Sequence, residues 1–181
     1  MLGLTGLRWG ELSALRVRDV QLLPYPAFRV SRSGPSGHAI RTQTKGGAAR
    51  TVPLPPQVVE IVKPLLDRPA QALLFTSATG ERLHGSNWKR DVKWAVHAEG
   101  RRVHDLRHTA ATLWLSNGID LKTVQHWLGH ASAQMTANVY THWMGADADA
   151  AALAKFTQVL ETAGDTTGTQ PVPLKRKPKT S

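Results

Sequence analysis

Cysteine is absent from the 181 residues, which excludes disulfides, cysteine-bound zinc and thiol catalysis. Long apolar runs are missing too. No window approaches the roughly 18 consecutive apolar residues of a membrane span, so no membrane partner is expected. The opening "MLGLTGLR" is interrupted too soon to read as a secretory signal. Acidic residues are scarce: 13 against 23 lysines and arginines, a formal charge of +10 and a pI near 10.5. Such a balance points to a polyanion, most simply nucleic acid. Tyrosine occurs only twice, at Tyr25 and Tyr140. Hydrophobic residues make up 41% of the chain, enough at this length for one domain with a substantial core.

The patterning predicts a mostly helical domain with one small antiparallel sheet. After a turn at Thr5-Gly6, Leu12 and Leu15 share a face with Leu7 and Trp9 nearby, which predicts a helix to about Asp19. Three strand-like pieces follow, "FRVSRS", "AIRTQT" and "ARTVPLP", divided by "GPSG" and "KGGA". Pro55-Pro56 opens a helix whose apolar side holds Val58, Val59, Ile61, Val62, Leu65 and Leu66. "ALLFTSATGERLH" reads as extended chain, then turn. Ser86 can cap a helix through about His97, with Trp88, Val92, Trp94 and Val96. Another covers 104–117 and ends at Asn117-Gly118. Asp120 caps a short helix, "LKTVQHWLG", and Ser132 the next. A last, alanine-rich helix at about 147–162 shows Leu153, Phe156, Val159 and Leu160 on one side. From 164 the chain lacks apolar periodicity, ends basic and reads as a disordered tail.

"HDLRHTAATL" at 104–113 carries the densest chemistry. His104 and Arg107 lie three apart on one helix face. Arg107 offers a planar fork of donors that suits a phosphate, and His104 can donate beside it or move a proton near neutral pH. The same segment also supports a metal reading, because His104/His108 and His126/His130 are pairs at i, i+4. Against it, Asp105 and Trp127 occupy the slot where a hydrolytic zinc helix places glutamate. Arg8 begins a helix, with Glu11 three residues on to hold its guanidinium by a charge-assisted bond. Lys45 lies in "TKGGAAR", a turn between strands, from which it can swing toward a leaving-group oxygen. Tyr140 lies in a polar, small-residue setting; a phenol of ordinary pKa about 10 needs cationic neighbours and a base to act as a nucleophile.

In order the chain gives "TGLRWGEL", "TKGGAARTVPLP", "HDLRHTAATL", "LGHAS" and "VYTHW". This succession resembles the tyrosine recombinases, the phage-integrase family of site-specific DNA recombinases, from residue 5 to about 142. The resemblance implies an α+β, mainly α-helical catalytic domain over 1–163, with a small three-stranded antiparallel sheet and a disordered basic tail at 164–181. It implies cleavage and rejoining of double-stranded DNA through a 3′-phosphotyrosyl link, with no cofactor, metal or ATP. Arg8 and Arg107 match the arginines that grip the scissile phosphate. His104 matches the histidine that assists proton transfer and phosphate binding, and His130 one that hydrogen-bonds the phosphate. Lys45 matches the general acid, Tyr140 the nucleophile and Glu11 a supporting acid. A homotetramer on DNA that exchanges C-terminal helices, accessory recombination factors, and a cytoplasmic, nucleoid-associated location belong to the same picture. Family members usually carry an N-terminal DNA-binding domain and a further helix before the first arginine motif. Only seven residues precede Arg8 here, which implies a catalytic fragment impaired in DNA binding and recombination. The competing readings are a non-catalytic DNA-binding remnant, a metal-dependent hydrolase built on the two histidine pairs, and a type IB topoisomerase-like activity.

Overall fold

Phe28 and Val30 on one strand and Val52 on its neighbour are fully buried, and the rest of the first core gathers on them. The computed structural model describes residues 1–34, 37–42, 49–130, 132, 153, 154 and 157. The chain divides into two units, Met1–Trp143 and Met144–Ser181. In the second, Leu153, Ala154 and Thr157 are helical and exposed.

Helix α1 (Leu2–Thr5) stops at Gly6, whose left-handed backbone (φ +59°) returns its amide to the Leu2 carbonyl. Helix α2 (Trp9–Leu12) starts at Arg8, where the Glu11 carboxylate reaches back to the Arg8 amide as in a capping box. It lasts only one turn. Arg16 opens a second capping box with Asp19, and the chain runs through a 3-10 turn (Val17–Asp19) into strand β1 (Val20–Gln21). Strand β2 (Ala27–Val30) pairs antiparallel with β1, and β3 (Arg50–Pro53) pairs antiparallel with β2, with Phe28 opposite Val52 and Val30 opposite Arg50. Side chains alternate across a strand, so Arg50 shares the core face of β3 with Val52.

Helix α3 (Pro56–Val62) places Val58 and Val62 in this core, beside Leu2, Leu7, Leu12, Leu15 and Leu74. Helices α4 (Gly85–Asp91) and α5 (Trp94–His97) follow. Helix α6 (Asp105–Ser116) lies against α1 and α7 (Leu121–Leu128), and α7 also lies against β3. A second apolar cluster joins Ala111 of α6 to Val124 and Leu128 of α7, with Trp114 packed on it.

The fold is the expected one: helices with a small three-stranded antiparallel sheet. Several local expectations differ. The helix read to Asp19 ends at Leu12, because the Arg16–Asp19 box restarts the chain in a new direction and Arg16 bridges to Leu73. The third strand is Val20–Gln21, whereas among the described residues "AIRTQT" supplies only the single bridge Arg41–Ser33. The helix placed at 86–97 is capped at His84, not Ser86, and is split at Lys93, which takes a left-handed conformation (φ +50°). Ile61, assigned to the apolar side of α3, is 52% exposed. The Asp120 cap holds, accepting from the Thr123 amide at 2.9 Å, and Gly129 ends α7 in the left-handed region. The helix after Ser132 and the tail from 164 lie outside the described residues; of the helix read at 147–162, only Leu153, Ala154 and Thr157 are described.

Candidate active site

The site is built where α2, β3, α6 and the turn after α7 converge. Glu11 is 1% exposed, and its carboxylate is shared by two arginines. Arg50 donates through Nη1 to Oε1 (2.9 Å) and through Nη2 to Oε2 (2.7 Å). Arg8 donates from Nη1 to Oε1 (3.1 Å) and from its backbone amide to Oε2 (2.8 Å). Burial opposes ionisation of Glu11, but the bonds and charges of Arg50 and Arg8 outweigh it and hold the carboxyl below its ordinary range. The Arg8 side chain keeps about a third of its surface open (33%).

Arg107 is 3% exposed. It donates from Nη1 to the Gly6 carbonyl at 2.6 Å and from Nη2 to the Leu128 carbonyl. Those carbonyls lie two residues before Arg8 and two before His130. Burial, then the charge of Arg8, lower its pKa to about 9; Glu11 opposes them and Arg50 adds to them. It is therefore charged at neutral pH. Arg8, Arg50 and Arg107 thus present three cations to one carboxylate. That excess of positive charge in a partly desolvated place is what an anion would relieve.

His104 is the N-cap of α6 and is exposed. Desolvation where its ring meets the protein, then His108 and the charges of Arg107, Arg8 and Arg102, hold its pKa below the ordinary histidine value. His130 follows the Gly129 turn, its amide bonded to the Gln125 carbonyl at 3.1 Å. Burial first, then Arg107, Arg8, His108 and Arg50, push its pKa down to about 4. Both rings are neutral at pH 7 without an anion and offer an N–H rather than a charge.

His108 lies on the outside of α6. It is exposed and meets His104 edge to face, ring centroids 5.5 Å apart. Asp105, in the same motif, is taken up by Arg102, whose amide it accepts at 2.8 Å. Among the described residues no three His, Cys, Asp or Glu side chains gather as a metal would require.

The structure therefore brings together Arg8, Glu11, His104, Arg107 and His130. Lys45 and Tyr140 lie outside the described residues. Ser33 and Gly34, upstream of Lys45, lie against α2. The Gly34 amide donates to the Gly10 carbonyl at 2.8 Å, and a Cβ on Gly10 would fall 2.8 Å from Ser33 Oγ. Arg50 was missed. The available signal was an arginine in register with Val52 on the core side of a strand, which requires a buried anion, and Glu11 is one.

Residues 1–145 match the model of the phage integrase family, and the chain belongs to that family. A tyrosine recombinase XerC of Pelobacter propionicus is 36% identical over 146 residues, covering 76% of this chain and 44% of that protein. The chain thus spans less than half of that relative. Among solved structures, the Tn1549 transposon integrase in complex with transposon right end DNA superposes with a TM-score of 0.66 at 24% identity, over 86% of this chain and 56% of that one. XerH site-specific recombinase, bound to its palindromic difH substrate in a post-cleavage complex, gives a TM-score of 0.59 at 26% identity, over 91% and 43%.

Proposed function

We propose that this chain is the catalytic part of a site-specific, integrase-like DNA recombinase. It cleaves and rejoins double-stranded DNA through a 3′-phosphotyrosyl intermediate on Tyr140, using neither metal nor ATP. The observation that carries the reading is the cluster of three guanidinium groups, two of them bonded to the Glu11 carboxylate and the third tied to backbone carbonyls, with the neutral histidines His104 and His130 near them. A phosphodiester is the anion that such planar forks and N–H donors suit. XerH site-specific recombinase, bound to its difH substrate, and the Tn1549 integrase, in complex with transposon right end DNA, support DNA as that anion's source.

In this reading Arg8 and Arg107 hold the non-bridging oxygens, and His104 and His130 donate to them. The Tyr140 oxygen attacks phosphorus and forms the P–O bond, and the bond to the 5′-oxygen breaks. Lys45 gives that oxygen its proton, and His104 assists transfer of the tyrosine proton. A 5′-hydroxyl from a second strand then reverses the step. Preorganised donors stabilise the charge on the five-coordinate phosphorus without a metal. Residues 1–163 form the catalytic domain and 164–181 a basic tail. Assembly as a homotetramer with exchanged C-terminal helices, use of accessory factors, and a nucleoid-associated location complete the proposal.

The test is covalent trapping. The chain is mixed with a pool of nicked duplexes randomised around the nick, and detergent-stable adducts are collected. Adducts that survive EDTA and vanish with Tyr140→Phe are expected. Hydrolysed DNA without adduct, or activity lost to EDTA and restored by zinc, contradicts the proposal.

A further inference from the structure

Arg50 touches three parts of the site and belongs to none of the motifs' assigned roles. Its fork closes on both Glu11 oxygens, and Arg8 bonds the same two oxygens through Nη1 and its backbone amide. Its Nε donates to the Trp127 carbonyl at 2.7 Å, in the last turn of α7. That helix end carries partial negative charge and favours a cation. The Gly129 turn presses directly on it: a Cβ there would fall 2.9 Å from Arg50 Cδ and 3.0 Å from Nε. Gly129 is also left-handed (φ +66°), so the turn that aims His130 suits glycine on both counts. Arg50 itself is 6% exposed, with three of its donors committed to protein acceptors.

We infer that Arg50 is a positioning residue for the phosphate site. Through Glu11 it fixes the Arg8 fork, and through Trp127 and Gly129 it fixes the turn that presents His130. It does not touch DNA. One side chain on β3 thereby sets the distance between two donors that arrive from opposite ends of the chain. A lysine keeps the charge but loses the two-point grip and the Nε bond, because its ammonium is a single point. The inference rests on the recombinase reading for its consequence but not for its geometry.

The experiment has one arm for each. Amide hydrogen exchange on the free, full chain reads the geometry. Arg50→Lys speeds exchange at Gly129 and His130, whose amides bond to Gln125, and leaves the β1–β2 ladder unchanged. Covalent trapping, with a duplex recovered from the randomised pool, reads the consequence. At saturating DNA, Arg50→Lys slows adduct formation by about a hundredfold while affinity stays within about threefold, as expected for misplacement of a reacting group. Added to Arg8→Ala it slows the reaction by clearly less than the hundredfold seen in the parent chain, because the part of its effect that acts through Arg8 is already gone and only the part through His130 remains. A full trapping rate, unchanged exchange at Gly129 and His130, or a loss that multiplies on Arg8→Ala with exchange raised throughout the sheet overturns the inference. If the parent chain traps no DNA, the recombinase reading fails while exchange still decides the role of Arg50. If Arg50→Lys does not fold, Gly129→Ala takes its place. The added methyl displaces the Arg50 guanidinium and slows trapping; an undiminished rate overturns the inference.

Discussion

Arg107 donates a buried hydrogen bond to the carbonyl of Gly6, a residue 101 positions earlier in the chain. The same guanidinium donates to Leu128. One side chain on α6 therefore ties the segment that ends in Arg8 to the segment that ends in His130. It is also charged and close enough to both to shift the titration of His130. It has a supporting role and a chemical one, and they cannot be removed separately.

Arg107→Lys is accordingly expected to cost more than a lost charge. The lysine ammonium cannot reach both carbonyls in a fork and still face a phosphate. Loss of one preorganised donor corresponds to about a hundredfold to a thousandfold in rate. The rate of covalent adduct formation at saturating DNA checks this. An unchanged rate would show that Arg107 is only a strut.

Glu11→Gln leaves Arg50 buried beside a neutral amide. Breaking a buried ion pair on one side typically costs about 3–5 kcal/mol, so the urea midpoint is expected to fall sharply. Because the folded carboxyl sits below its ordinary range, the stabilisation from Glu11 is fully present above the unfolded carboxylate value. It is lost as pH falls through the folded one. Denaturant curves along an acid series are expected to show this loss in the parent chain and its absence in Glu11→Gln.

His130 gives a second pH signature. Its folded pKa of about 4 lies below the ordinary histidine value of 6.5, so the unfolded chain binds the extra proton first. Stability from this group is present above about 6.5 and declines as pH falls toward about 4. An anion between Arg8 and Arg107 neutralises the charges that oppose protonation, so the His130 pKa is expected to rise when duplex DNA is added. Titration of the imidazole protons by NMR, with and without DNA, measures both. A His130 pKa near 6.5 in the free chain contradicts the site geometry.

Gly6→Ala tests the join between α1 and α2. The position is left-handed, and a Cβ would fall 2.9 Å from both Leu128 Cδ2 and Trp114 Cη2. Backbone strain and overpacking together correspond to about 2–4 kcal/mol. Thermal unfolding should register it, and adduct formation should slow as well, since the Gly6 carbonyl is an anchor of Arg107. A stable, fully active variant would mean that the join tolerates movement.

What was legible in the sequence was what is local. Asp120 and Gly129 bracket α7 within nine residues, and both ends fall where their chemistry puts them. Arg8 and Glu11 are three apart, and their bond was foreseen. The helix after Arg8 was overextended because Leu12 and Leu15 keep helical spacing through a turn, while the Arg16–Asp19 box, visible only as two ordinary charged residues, redirects the chain. The strand at Val20–Gln21 is too short to carry a periodic signal. Arg50 escaped because its acceptors lie 39 and 77 residues away; no window holds both partners. In the same helix Arg107 is buried and His108, the next residue, is exposed, an order that residue polarity alone does not indicate.

The most direct measurement is the identity of the residue that becomes joined to DNA. Adducts trapped on the nicked duplex pool are digested with protease and nuclease, and the nucleotide-bearing peptide is sequenced by mass spectrometry. The expected peptide contains Tyr140 with a 3′-phosphoryl nucleotide on its phenolic oxygen, formed equally well in EDTA. A nucleotide on any other residue, or cleaved DNA with no protein attached, would contradict the assignment.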